Sequence, residues 1–245
     1  MNILALDTAT EACSAAVLRG EEVFSRMEVI PRGHAERILG MCDEVLGEAG
    51  LTRGDLSLVA CGRGPGAFTG VRIAVAAAQG ICLGLDLRLL GVSDLMILAQ
   101  GCLGNSGAEM AACAFDARMG EVYLGIYRRA GDLAELAAEE RVCSPEKAGE
   151  EIRRLCAGHS FIAAGTGFGA YPALARVAAE TGAEQIRDSL LPAAADMLPW
   201  ARSHAGEAVP PEDLVPLYLR NDVAWKKIGE QGPRGGTGTP AGRQG

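Results

Sequence analysis

A glycine-rich turn, Gly62-Arg63-Gly64-Pro65-Gly66, constrains the fold more than any other feature of this sequence. It follows the apolar stretch 58–61, which suits a buried strand, and it leads into a segment of small residues that is typical of a helix. Thr69 lies where its side-chain oxygen could cap a helix that begins with Val71. The pattern predicts a strand-turn-helix junction, although a tight connection with no further role would satisfy the same residues.

The residues on either side of this junction predict an α/β lobe. Short apolar runs predict three strands joined by tight turns, which form an antiparallel meander. Helices and strands alternate after the meander, and parallel strands joined through helices require a sheet that is covered on both faces. We expect strands at 2–7, 12–18, 22–29, 57–61 and 87–92, with helices at 34–49 and about 70–84. The predicted fold class is therefore α/β with a mixed sheet.

The second half of the chain repeats this order weakly, and 165–169 form a second glycine-rich turn. Strands are expected at 111–115, 121–127, 139–142 and 161–164, and helices near 145–157, 171–181 and 191–205. A duplicated α/β unit with a cleft between its halves is the simplest account. The predicted organisation is an N-terminal lobe at 1–103 that a helix near 191–206 completes, a C-terminal lobe at 104–222, and a disordered Gly/Pro-rich tail at 223–245.

Charge argues against unaided binding of nucleic acid. The formal net charge is -8, and because residues 226–245 carry a net charge of +3, the preceding residues carry -11. An acidic surface repels a phosphate backbone on average. A contact with tRNA through Arg63, Arg72, Lys226 or Lys227 is therefore expected only where a partner supplies most of the basic surface.

The cysteines and the apolar segments indicate a reduced, cytoplasmic protein. The eight cysteines are scattered at 13, 42, 61, 82, 102, 113, 143 and 156 and are expected to be buried apolar residues. No Cys-x-x-Cys motif occurs, and no zinc site is expected. The N-terminus lacks a basic region before its apolar stretch, and the apolar run 73–85 is too short to span a bilayer.

Five motifs occur along the chain: Ile3-Leu4-Ala5-Leu6-Asp7-Thr8, Gly64-Pro65-Gly66-Ala67-Phe68-Thr69-Gly70-Val71-Arg72, Gly91-Val92-Ser93, Asp116-Ala117-Arg118-Met119-Gly120-Glu121-Val122-Tyr123 and Pro216-Leu217-Tyr218-Leu219-Arg220. In this order they closely resemble the TsaB family, also called YeaZ. The resemblance covers residues 1 to about 222. Ala67 stands where the family usually has serine, a mild departure because the turn needs backbone geometry rather than a hydroxyl.

The resemblance implies an actin-like, Hsp70-like ATPase-superfamily fold of two ribonuclease-H-like lobes with mixed sheets. It implies accessory work in tRNA modification: TsaD transfers the threonylcarbamoyl group to adenosine 37 of tRNAs that read codons beginning with A, and TsaB is the partner that TsaD needs. Alone, such a protein is expected to be a homodimer; with TsaD it forms a heterodimer that TsaE joins, and tRNA is contacted only within the complex. No membrane association and no cofactor are expected.

No catalytic residue is expected, because catalytic relatives carry a histidine-rich metal motif about where this chain has 92–96, and no histidine lies there. Asp7 is at the position where the superfamily often carries a carboxylate near a bound nucleotide, but the following residues offer neither glycine nor a cation to a phosphate, so we favour a structural role. Whether a nucleotide binds stays open. The family-motif residues of interest are Asp7, Thr8, Gly64, Pro65, Gly66, Phe68, Thr69, Gly70, Arg72, Asp116, Arg118, Tyr218 and Arg220.

Two helices of the first lobe are the expected contact with TsaD in this family. Their small and polar residues equally suit packing on their own sheet, so both interpretations stay open for the alanine run. His34, Glu36 and Arg37 could also be an acid-base set, or simply a polar first turn. The predicted interface residues are His34, Glu36, Arg37, Met41, Arg72, Val75, Ala76 and Gln79.

Two other functions share this fold. A nucleotide-binding phosphotransferase of the acetate-kinase or sugar-kinase class would need glycine-rich phosphate loops, which are poor here. A degenerate glycoprotease-like metallopeptidase would need clustered metal ligands, and the three histidines are far apart in the sequence. The Asp116–Arg118 pair could bind a ligand or pin the turn that it flanks, and we favour the structural role. Arg220 is expected to anchor the end of the chain against a lobe.

Overall fold

The computed structural model describes residues 1–220, and two five-stranded mixed sheets dominate it. The first sheet has the strand order β3-β2-β1-β4-β5, antiparallel among β1, β2 and β3 and parallel from β1 to β5 through β4. Its elements are β1 (Asn2–Asp7), β2 (Ala12–Arg19), β3 (Glu22–Val29), α1 (His34–Glu48), β4 (Leu58–Gly62), α2 (Phe68–Leu85) and β5 (Leu89–Val92), followed by α3 (Asp94–Gly104).

The second sheet repeats the arrangement with the order β10-β9-β6-β7-β8. Strands β6, β7 and β8 are antiparallel, and β6, β9 and β10 are parallel. Its elements are β6 (Met110–Arg118), β7 (Glu121–Ala130), β8 (Leu133–Cys143), α4 (Pro145–Cys156), β9 (Phe161–Ala164), α5 (Thr166–Ala170), α6 (Pro172–Thr181) and β10 (Ala183–Arg187), followed by α7 (Ala194–Ser203).

Strand β1 is buried on both faces because helices cover both sides of the first sheet. Leu4 and Leu6 face the core beneath α1 and α2, whereas Ile3 and Ala5 face α7, which packs on the opposite side. This two-sided burial explains the nearly continuous apolar run of the strand. A helix near 191–206 was expected to complete the first lobe; α7 packs on the first sheet, and its assignment to that lobe stays a prediction.

Helix α3 belongs to the cores of both sheets. Ile97 packs with α7 on the first sheet, while Leu95 and Leu98 pack against the second. The predicted domain boundary at 103 therefore falls at the end of a helix that both sheets share, and the boundary itself stays a prediction. The predicted tail at 223–245 lies outside the described residues.

The α/β fold with two mixed sheets confirms the predicted class, and most predicted elements are present within a few residues. Three expectations need correction. Helix α2 begins at Phe68 with Ala67 as its N-cap, so Thr69 lies inside the first turn and caps nothing. Helix α3 and strand β10 were not predicted, and the single helix expected at 171–181 is preceded by the short α5.

Within the described residues, one helix, Phe68–Leu85, is long and apolar enough to cross a membrane by length and composition alone. It is longer than the apolar run that the sequence predicted. A core helix of a water-soluble protein passes the same test.

Candidate functional site

The glycine-rich turn presses against the turn between β1 and β2. Cβ atoms added to Gly66 and Gly70 would overlap the carbonyl oxygens of Ala9 and Thr8, respectively. The two turns are also hydrogen-bonded: the amide of Ala67 donates to the Ala9 carbonyl at 2.7 Å, and the hydroxyl of Thr8 donates to the Gly70 carbonyl at 2.7 Å. The motif therefore needs glycine because backbone meets backbone at these two positions.

Two amides of the β1–β2 turn are bonded within the turn. The Ala9 amide donates to the carboxylate of Asp7 at 2.9 Å, and the Ala12 amide donates to the hydroxyl of Thr10 at 3.1 Å. A phosphate-binding turn typically brings glycines or a cation to the anion. The turn at 8–11 contains neither, and the acidic Glu11 lines the cleft.

A cleft of about 770 Å³ lies between the sheets and is lined by both turns. From the second lobe, Asp116 and Arg118 reach it on the turn between β6 and β7. Asp116 accepts hydrogen bonds from the Arg118 amide at 2.8 Å and the Tyr171 hydroxyl at 3.1 Å, and it pairs with the Arg118 guanidinium at 3.0 Å. These contacts hold a turn in which Arg118 has a φ of 62°.

His34, Glu36 and Arg37 do not converge. His34 and Glu36 line the cleft at the start of α1. The Arg37 guanidinium instead binds Glu28 at 2.6 Å and Glu44 at 2.7 Å, and these hydrogen bonds lower the pKa of both carboxyl groups. The structure therefore supports a polar first turn and not the acid-base set.

An apolar groove of about 420 Å³ separates α1 from α2 on the outside of the first lobe. Leu39 borders it with 51% of its surface exposed, and Leu83 near the end of α2 is 65% exposed. Small residues on α2 keep the groove open because they leave room between the helices. Its lining includes Leu39, Cys42, Leu46, Ala76, Ala77, Gly80, Ile81, Gly84 and Leu85.

The predicted interface residues are placed unequally around this groove. Ala76 lines it, and Arg72 is exposed one turn earlier on α2. Met41 and Val75 are buried in the core beneath the helices, so their side chains are not available to a partner in this conformation. The Gln79 amide donates to the carbonyls of residues 211 and 214 at 2.8 and 3.0 Å, which ties α2 to the last described segment.

Leu39 and Ile81 line the groove but were not among the predicted interface residues, and neither was the exposed Leu83 of α2. A signal was present for Leu39, because it is an apolar residue beside the buried stripe of α1 rather than within it. No such contrast was present for α2, since the helix is apolar nearly all round.

A cation-aromatic cluster marks the start of α2. The Arg72 guanidinium carbon lies 3.3 Å from the centroid of the Phe68 ring and 5.2 Å from that of Tyr218, and Phe68 is 67% exposed. Beyond Tyr218, Arg220 pairs with Glu121 at 2.7 Å across the cleft. The final described segment thereby connects the first lobe to the second.

The same region contains two fully buried carboxyl groups, Asp7 and Asp94. Burial raises the pKa of both. Asp94 was not among the predicted site residues, although it follows the Gly-Val-Ser motif. Among residues 1–220, no group of three or more His, Cys, Asp or Glu side chains comes together in a way that could hold a metal ion.

Comparisons with known proteins agree on one family. A family model described as TsaD, tRNA N6-adenosine threonylcarbamoyltransferase, matches residues 20–221. The Escherichia coli K12 tRNA threonylcarbamoyladenosine biosynthesis protein TsaB is 45% identical over 93% of this chain and 98% of its own length. The corresponding Haemophilus influenzae protein is 40% identical over 93% and 97%.

Solved structures show the same relationship. YeaZ from Pseudomonas aeruginosa is 41% identical with a TM-score of 0.77, covering 89% of this chain and 99% of its own. Component A of (R)-2-hydroxyglutaryl-CoA dehydratase from Acidaminococcus fermentans is 10% identical with a TM-score of 0.53, covering 84% of this chain and 99% of its own, a likeness of fold alone. The chain shares its α/β fold with both proteins, in agreement with the predicted fold class.

Proposed function

The chain belongs to the TsaB family of tRNA threonylcarbamoyladenosine biosynthesis proteins, and on that premise we propose that it is a noncatalytic partner of TsaD. In this role it activates transfer of the threonylcarbamoyl group to adenosine 37 of tRNAs that read codons beginning with A. The observation that carries the proposal is the apolar groove between α1 and α2.

The shape and apolar lining of the groove suit a helix of a partner protein. Leu39 lines the groove with more than half of its surface exposed, and covering apolar surface stabilises a complex. Ala77 and Gly80 present no long side chain that would keep a second helix away. A homodimer formed through this face when the protein is alone would be replaced by the heterodimer when TsaD is present.

The turn between β1 and β2 supports the noncatalytic part of the proposal. Its amides at Ala9 and Ala12 are bonded within the turn, and Gly66 and Gly70 press on its outer side. A phosphotransferase of this fold requires that turn to wrap around a phosphate. We therefore assign no cofactor to the protein.

TsaE would join through the assembled pair, and tRNA would be held mostly by the partner because this chain is acidic. A reduced cytoplasmic setting suits eight cysteines that are all free and buried.

Reconstituted threonylcarbamoyl transfer tests this function. TsaD, TsaE, the adenylate-forming enzyme and tRNA are combined with and without this protein, and modified adenosine is counted. We expect modification only when the protein is present, and no ATP hydrolysis or tRNA modification by the protein alone. Modification of equal extent without it would reject the partner role, and turnover of ATP with a sugar or acetate would favour the kinase alternative.

Ala77→Arg tests the surface. The guanidinium would extend into the groove, so we expect loss of binding to TsaD in a variant that stays folded. Ala179→Arg is the matched control, because Ala179 is exposed on α6 of the second lobe. Equal binding by both folded variants would remove the groove from the interface.

A further inference from the structure

Asp7 and Asp94 meet at the centre of the molecule, away from solvent. Both side chains are fully buried, and both lie against the backbone of Gly62. A Cβ atom on Gly62 would overlap an oxygen of Asp7 and lie 2.7 Å from Oδ1 of Asp94. Because Gly62 has no side chain, both carboxyl groups can lie beside it.

Each carboxyl group has one oxygen occupied by a backbone amide. Oδ1 of Asp7 accepts from Ala9 at 2.9 Å, and Oδ2 of Asp94 accepts from Gly64 at 2.5 Å. The remaining oxygens, Oδ2 of Asp7 and Oδ1 of Asp94, have no hydrogen-bond donor within the described chain. Two acceptors left facing each other without a donor would be strongly unfavourable in a buried site.

The charges around the pair do not neutralise it. His34 on α1 lowers the pKa of Asp7, but by less than burial raises it. Glu140 on β8 raises the pKa of Asp94 further. The charge of Arg63 lowers the pKa of Glu140. The Cys61 thiol beside the pair stays protonated because burial raises its pKa well above the ordinary value.

We propose that Asp7 and Asp94 share one proton and that the pair, with one neutral and one ionised carboxyl group, acts as a clamp on the glycine-rich turn. The shared proton gives the two unoccupied oxygens a donor and an acceptor, so the pair carries one negative charge instead of two. Asp94 also donates its own amide to the Gly64 carbonyl at 3.0 Å, so this residue holds Gly64 from both sides.

The clamp connects the cleft to the base of α2. Asp7 fixes Ala9 in the turn that faces the cleft, and Asp94 fixes Gly64 in the turn that leads into α2. Loss of the shared proton would place two charges in the buried site and weaken both attachments. The folded protein therefore binds more protons than the unfolded chain wherever the pair keeps its proton and a free aspartate does not.

The sign of the pH dependence follows. The unfolded aspartates lose their protons near pH 3.8, whereas the folded pair loses the shared proton at a higher pH. Between these two pH values the folded state binds one proton more than the unfolded chain, so each pH unit of increase raises the unfolding equilibrium constant about tenfold and the protein becomes less stable. Above the upper value this loss is complete and the dependence ends.

Asp94→Asn tests the clamp. The amide oxygen can accept from Gly64 while the NH2 group donates to Asp7, so the variant replaces the shared proton with a fixed donor. Denaturant unfolding is measured from about pH 5 to about pH 9 for the wild type, Asp94→Asn and the exposed control Asp213→Asn. As the pH rises through this range, we expect the unfolding free energy of the wild type and of the control to fall more than that of Asp94→Asn. The difference should correspond to the release of about one proton from the folded state.

Carbon-13 NMR of the aspartate carboxyl groups gives a second readout that does not depend on how stable the variant is. One carboxyl signal of the wild type should stay protonated to a pH well above the ordinary aspartate value and be missing from Asp94→Asn and Asp7→Asn. The proposal would be overturned if the unfolding free energy depended on pH equally in all three proteins, or if no carboxyl signal that these variants remove titrated above the ordinary aspartate value. Stabilisation by Mg²⁺ or Mn²⁺ that Asp94→Asn abolishes would also overturn it, since a cation would then occupy the place of the proton.

Discussion

The corresponding helix pairs of the two lobes differ in how closely they pack. Between α4 and α6, a Cβ atom on Gly149 would lie 3.2 Å from a methyl group of Val177, so the valine fills the space between the helices. Between α1 and α2, Gly80 has nothing within 4 Å of the same position, and a groove of about 420 Å³ remains. The second lobe buries its outer helices against each other, whereas the first leaves an apolar groove between them.

Gly149→Leu and Gly80→Leu should separate the two helix pairs most strongly. Leucine at 149 would collide with Val177, and we expect a loss of about 2–3 kcal/mol of unfolding free energy from overpacking. Leucine at 80 would enter open space and should leave stability unchanged or raise it by about 0.5–1 kcal/mol through helix propensity. Urea unfolding with fitted midpoints measures both, and similar losses for the two variants would contradict the difference in packing.

Leu39→Lys should sharpen the comparison at the level of binding. Because Leu39 is half-exposed, its replacement should change folding stability by less than about 0.5 kcal/mol, but a charge at the groove edge should weaken binding to TsaD about tenfold, which is about 1.4 kcal/mol. Calorimetric titration measures the affinity. Lysine at the exposed Ala179 of α6 serves as the control and should leave affinity unchanged.

Gln79→Ala examines how α2 is held while its outer face stays open. The variant removes two hydrogen bonds to backbone carbonyls at 211 and 214, for an expected loss of about 1–2 kcal/mol. Hydrogen exchange should show faster opening of residues 211–217 than of the second lobe. Equal exchange in wild type and variant would mean that the segment is held by its other contacts.

Arg153→Ala is expected to have the smallest effect. Its guanidinium lies 3.4 Å from Glu180 across α4 and α6, and both side chains are exposed, so the loss should be below about 0.5 kcal/mol. Thermal unfolding in low and high salt measures it. A loss comparable to that of Gly149→Leu would show that charge, and not close packing, joins this helix pair.

The sequence predicted most strands and helices because their periodicity survives in the structure. It could not predict α3, since Leu95, Ile97 and Leu98 point toward two different cores and the helix has no polar face to give a period. Strand β10 escaped for the opposite reason, because it is a polar and largely uncovered edge strand. Both were missed because tertiary packing, and not local pattern, places them.

The candidate site was predictable in its backbone and unpredictable in its side chains. The glycine-rich motif indicated a tight backbone turn, and the structure places Gly66 and Gly70 against Ala9 and Thr8. Which side of α2 is buried depends on the sheet beneath it, so Val75 was assigned to a surface that it does not reach. Asp94 gave no signal because its partner is 87 positions earlier in the chain.

Helix α7 is synthesised long after the strands that it covers. This helix covers one face of the sheet whose strands begin at residue 2, yet its own residues are 194–203. At ribosomal rates of roughly 5–20 residues per second, that face stays uncovered for about ten seconds or more after β1 is made. Ile3 would be exposed to solvent throughout that interval, and Leu58 and Leu90 from the time each is made until α7 packs on the sheet. A nascent chain of this protein is therefore an expected client of ribosome-associated chaperones until α7 emerges.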